Sequence, residues 1–151
     1  MNSLSTVDFD RVRENTEDAV NEELTREMKE RIDQYRSGSP SEIDKRIGEL
    51  DREWDIERAL ETNASIIALS GLALGVAHNR KWLAIPAVVL PFLFQHAVQG
   101  WCPPLPILRR LGFRTRKEID REKYALKVLR GDFENTGPRS SSEQVLRAVA
   151  A

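Results

Sequence analysis

The chain has little of what usually carries chemistry. Its 151 residues include one cysteine, Cys102, and two histidines, His78 and His96. A single thiol rules out an intramolecular disulfide framework, and no Cys-rich zinc site can be assembled from it. His96 and Cys102 are only two ligand types and His78 lies far from both, so neither a metal nor a cofactor is expected. No phosphate-binding loop, nucleophile elbow or triad spacing occurs. Acidic pairs such as Asp51 and Asp55 have no partner constellation and read as solvated faces. No catalytic residue is therefore assigned, and the chain is expected not to be an enzyme. Residues 1–10 lack a basic region followed by an apolar run, so they do not read as a cleavable signal peptide.

Charge is lacking in one place. Between Glu61 and Arg109 only Arg80 and Lys81 are formally charged. They divide an uncharged run into residues 62–79 and 82–108. The first piece, 18 residues long, spans about 27 Å as a helix, close to a hydrocarbon core of roughly 30 Å. In the second, Trp82 and Trp101 bracket a segment of similar length, placed like an interfacial aromatic belt. Two such helices joined by a tight reversal predict an all-α fold: a two-span transmembrane helical hairpin with flanking cytoplasmic amphipathic helices. The expected spans are 62–79 and 82–101.

On either side the charge is segregated. Residues 1–61 carry 10 basic and 18 acidic side chains, and residues 109–151 carry 11 basic and 6 acidic ones. The acidic region reads as helical. Asn15 is a candidate cap, and Val20, Leu24, Met28, Ile32 and Tyr35 form one narrow apolar stripe ending at Ser37-Gly38. Ser39-Pro40-Ser41-Glu42 is a capping-box start signal, followed by a short seam of Ile43, Ile47, Leu50 and Trp54. That helix is read as running on into the first span. After the hairpin, Thr115-Arg116-Lys117-Glu118 opens a basic juxtamembrane helix carrying Ile119, Leu126 and Leu129, with Gly131 as its stop. The basic region is 109–134, and 135–151 reads as a disordered tail in which residues 143–150 form at most a transient helix. Opposite net charges and matching stripes predict that the acidic helices pack on the basic one. Surface ion pairs contribute only about 0–1 kcal/mol each, so the apolar stripes must supply most of that packing.

Within the first span, Ala64, Ala68, Gly71 and Gly75 fall on one face. Helices in lipid associate by close packing of small residues, so this face is expected to meet either the second span or a second copy of the chain. Pro91 should kink the second span. Gln95, His96 and Gln99 give its last turns polar edges suited to interfacial hydrogen bonding. Pro103, Pro104 and Pro106 then stop the helix. Beyond them Arg109, Arg110, Arg114, Arg116 and Lys117 alternate with apolar residues, a pattern suited to anionic lipid headgroups at about 1 kcal/mol per cation. Cys102 lies at this boundary. It is either a reactive thiol, made a thiolate by Arg109 and Arg110, or a small residue packed against the proline stop.

The motif Gly100-Trp101-Cys102-Pro103 ending a short hairpin resembles the YgaP-like transmembrane domain family of bacterial inner membranes, over about residues 56–113. The resemblance implies an inner-membrane hairpin, often accessory to another domain and sometimes to a rhodanese sulfurtransferase. Prolines follow Cys102 where a rhodanese has a Gly/Ser-rich anion-binding loop, so sulfur transfer does not carry over.

The expected function is thus a non-enzymatic membrane anchor and interaction protein that self-associates through its small-residue face. Its expected partners are anionic lipid, a second copy, and a cytoplasmic or membrane protein, with no nucleic acid. The alternative is a thiol-active membrane protein using Cys102 in redox or sulfur handling. A small oligomeric channel is weaker, because the spans offer no charged lining. Cations cluster at 45–58 and 109–123, against two in the turn, which predicts both termini in the cytoplasm of an inner (plasma) membrane protein. A cysteine placed at Asn79 should accordingly be labelled by an impermeant thiol reagent in intact cells. A protected Asn79 position would overturn this orientation.

Overall fold

The computed structural model describes residues 10–138 and 140–150. Residues 1–9, part of the stretch in which no signal peptide is read, lie outside it. Among the described residues every regular element is helical: α1 (Arg11–Glu14), α2 (Asp18–Tyr35), α3 (Pro40–Leu50), α4 (Ile56–Ala77), a 3-10 turn (Arg80–Leu83), α5 (Ala84–Gln99), α6 (Leu105–Arg110), α7 (Arg116–Arg130) and α8 (Ser142–Ala150). The chain divides into two compact units. One combines Met1–Glu23 with Trp54–Arg116, the other Leu24–Glu53 with Lys117–Ala151.

The first unit is built on α4 and α5, both long and apolar enough, with the 3-10 turn, to cross a membrane. Asp55 starts α4 by accepting the Arg58 N–H at 2.7 Å, and the Ile56 N–H donates to the Arg114 carbonyl at 2.9 Å. The helix is therefore new at Ile56; it does not continue from α3 as the sequence suggests. An N-cap aspartate holds its backbone out of the helical region, and Asp55 does so here (ψ 165°). Asn79 makes the reversal, its side chain accepting the Lys81 N–H at 2.9 Å.

The small face of α4 is used inside the hairpin. Ala68, Gly71 and Gly75 are buried. A Cβ on Gly71 would fall 2.7 Å from Pro86 Cδ and 2.8 Å from Ile85 Cβ, and one on Gly75 would fall 2.7 Å from Leu83 Cγ. Of the two partners the sequence allows for this face, the structure places the second apolar helix of the same chain there. The opposite flanks are bare: Val76 is 82% exposed, Phe94 72% and Leu69 65%. Only 28% of the apolar window of α4 and 6% of that of α5 is buried, whereas the core helix of a soluble domain would be mostly covered.

The second unit has its own core, formed by Ile43, Ile47 and Leu50 of α3 with Ile119 and Leu126 of α7 and with Tyr35 packed against them. The Ser39 capping box is formed: the Ser39 N–H donates to Glu42 Oε2 at 2.7 Å and the Glu42 N–H to Ser39 Oγ at 3.4 Å. One of the two fully buried charges in this unit is acidic, although it lies on the basic helix. Glu122 is fully buried, with Arg31 at 3.1 Å and Arg46 at 2.8 Å. At the far end of α7, buried Lys127 donates to the Val149 carbonyl of α8 at 2.6 Å, and burial pushes its ammonium below the usual lysine range. The segment read as a tail contains a helix, α8, where the sequence allows a transient one. Its cap is the pair of bonds between Ser141 and Gln144, at 2.9 and 3.3 Å.

Candidate functional site

The Gly100–Pro103 motif sits where α5 ends, and its glycine is required twice over. Gly100 adopts a left-handed conformation (φ 76°), and its N–H closes the helix onto the His96 carbonyl at 2.7 Å. Only glycine occupies that region without strain. A Cβ there would also lie 2.5 Å from Arg11 Cβ and 2.7 Å from the Arg11 carbonyl carbon. This close approach lets α1 cap the helix. The Arg11 guanidinium donates to the carbonyls of Ala97 and Val98, and Asn15 Nδ2 donates to Gln99 O at 2.9 Å. Carbonyls of a last helical turn have no intrahelical donor, and a cation beside them is favoured by the helix dipole.

The sequence reading misses α1, although Asp10 is a local N-cap of the usual kind. Asp10 Oδ1 accepts from the Val12 and Arg13 N–H groups at 3.1 and 3.2 Å. Its Oδ2 accepts from the Thr115 hydroxyl at 2.6 Å. Asn15, read as a cap for a helix following it, instead ends α1.

Cys102 is 4% exposed and belongs to a core with Val12, Ile56, Leu60 and Leu105, against which Trp101 and Phe113 pack. Burial pushes its thiol above the usual cysteine range, opposite to the shift a nucleophilic cysteine needs. Arg109 does not favour a thiolate here. It is 1% exposed, and its guanidinium donates to Phe113 O and to Asn21 Oδ1, each at 3.0 Å. Of the five cations expected at a headgroup layer, Arg109 and Arg114 are turned into the protein, while Arg110, Arg116 and Lys117 are exposed. The burial of Arg109 follows from the turn of α6, which places Leu105 and Arg109, four residues apart, on its inner side.

Beside Cys102, within the first unit, is a cavity of about 440 Å³. Ile67, Val89, Phe92 and Leu93 give it apolar walls, and Asn63 and His96 join Cys102 as its polar lining. None of its lining residues is Lys, Arg, Asp or Glu. His96 is 6% exposed, and its Nδ1 is buried with no hydrogen-bond partner among the described residues. The sequence reading put His96 and Gln99 at a wet interface. Gln99 is exposed and pairs with Gln95 at 3.3 Å, but His96 faces inward. α5 is apolar on all sides, so no stripe in the sequence marks this face. Among the described residues no three His, Cys, Asp or Glu side chains gather as metal ligands.

No family model matches the chain, and neither a curated protein nor a solved structure is similar to it. The reading of the site therefore rests on its own geometry.

With its thiol buried and raised, Cys102 in the folded protein should react with a maleimide at pH 8 at least about tenfold more slowly than in the denatured chain. A native rate equal to or above the denatured one would restore the thiolate reading.

Proposed function

We propose that this chain is a non-enzymatic membrane anchor of the inner (plasma) membrane. In this reading the α4–α5 hairpin crosses the bilayer twice, both termini are cytoplasmic, and the second unit is a helical adaptor for a protein partner. The observation that carries it is the exposed apolar surface of α4 and α5, far more than a soluble monomer leaves uncovered. Helices also keep their backbone hydrogen bonds internal, as a bilayer requires. Trp82, 40% exposed, and the exposed Arg80 and Lys81 suit the interface at the turn. Arg110, Arg116 and Lys117 suit anionic headgroups at the other end.

The resemblance to YgaP-like hairpins belongs to the same proposal, and Gly100, with its enforced left-handed turn and its contact with Arg11, gives that motif a structural reason. The small-residue face supports pairing within the chain, so the homo-oligomer expected from it loses that surface. The thiol-active alternative finds no support in a buried cysteine.

Membranes from expressing cells test the reading. The chain should stay in the pellet after an alkaline carbonate wash. A Leu69→Arg, Phe94→Arg double variant, with two charges on outward faces at about 2.5–3.5 kcal/mol each near the bilayer centre, should lose most of that retention. Recovery of the wild-type chain in the wash would overturn it.

A further inference from the structure

The cavity beside Cys102 has three properties of a binding site that packing alone does not require. Its volume of about 440 Å³ lies in the range of pockets that hold small ligands, roughly 300–1,000 Å³. Its polar groups are gathered at one end: His96, Asn63 and Cys102 lie toward the chain termini, while Ile67 and Val89 lie further up the hairpin. One of those groups, His96 Nδ1, is a buried polar atom without a partner among the described residues, an arrangement native structures rarely leave unexplained.

We propose that this cavity binds a neutral molecule drawn from the bilayer, with a long apolar body and a single hydroxyl or carbonyl head hydrogen-bonded to the imidazole of His96. The body lies along Ile67, Val89, Phe92 and Leu93. Neutrality follows from the lining, which offers no counter-charge to a carboxylate, phosphate or amine. An ionised head would be buried without a partner, a strongly unfavourable arrangement. The nearest basic residue on the α1 side, Arg11, already donates to the carbonyls of Ala97 and Val98. Asn63 gives one amide N–H to Ala59 O at 2.8 Å and the Cys102 thiol is a weak donor, so His96 is the main group that selects the head. The inference rests on the membrane reading above, because the bilayer supplies the ligand.

The test uses the full chain in phosphatidylcholine vesicles with a diazirine-bearing long-chain alcohol, followed by peptide mapping. Saturable labelling should fall in residues 60–67 and 89–108. Unlabelled alcohol should compete, and the matching fatty acid, assayed as its carboxylate, should compete at least about tenfold more weakly. His96→Phe, which keeps the bulk and removes the ring nitrogens, should lower saturable labelling about tenfold, the scale of one hydrogen bond. His96→Gln, which keeps a hydrogen-bonding group, should retain most of it. Ala64→Phe should fill the cavity and abolish saturable labelling, with helical content by circular dichroism unchanged. Non-saturable labelling spread over outward faces such as Leu69 and Phe94 would mean surrounding lipid only and overturn the proposal. So would equal labelling of wild type and His96→Phe. A chain that fails to enter the vesicles overturns the membrane reading and this one with it, whereas an inserted chain without saturable labelling overturns this one alone.

Discussion

Two glycines set how closely the apolar helices approach. Where α4 meets the start of α5, Gly71 and Gly75 have no room for a Cβ against Leu83, Ile85 and Pro86. In the membrane setting proposed for the hairpin there is little hydrophobic drive between helices, so such close packing is what would hold the pair together. The contact is tight at the turn and gives way to a cavity toward the termini, where Leu60 and Asn63 stand with Leu93 and His96. Beyond it the last carbonyls of α5 need donors, and Arg11 and Asn15 supply them. α1 is in turn tied to Thr115 through Asp10. A hairpin closed at one end thus calls for a separately built closure at the other, and Gly100–Cys102 lies within it.

The second unit follows a different rule. Its apolar seam of Ile43, Ile47, Leu50, Ile119 and Leu126 accounts for most of its packing, as expected where surface ion pairs contribute only about 0–1 kcal/mol each. The exception is Glu122 between Arg31 and Arg46, a buried carboxylate whose two arginine partners share its compensation, so that the loss of either alone does not strand it. Bulk charge pairs an acidic region with a basic helix, yet this buried ion group has the signs reversed. Net charge describes the surface of this unit and not its interior.

What the sequence made legible was local. The Ser39 capping box, the spacing of Ala68, Gly71 and Gly75 and the seam of α3 depend on residues within a turn or two, and each has a pattern; the stop of α5, read from the prolines, is made earlier by Gly100. The hairpin was readable from missing charge. What stayed hidden depends on distant partners. The place of α1 is fixed by Thr115 bonded to its cap Asp10, Arg109 is buried because Asn21 and Phe113 meet its guanidinium, and α8 is docked by Lys127. His96 is a third case: α5 is apolar all round, so nothing marks its inward face, and a polar side chain near the end of a span invites an interfacial reading.

The central claim is that Gly71 and Gly75 close the hairpin within one chain. The most direct measurement is the distance between spin labels at Ser70 and Val88, in a Cys102→Ser background in vesicles, diluted with unlabelled protein. The account predicts a narrow short-range distribution that broadens and lengthens in Gly71→Leu and Gly75→Leu. An unchanged distance in those variants, together with loss of an oligomer seen in the parent, would show that the glycines face another copy and would contradict the account.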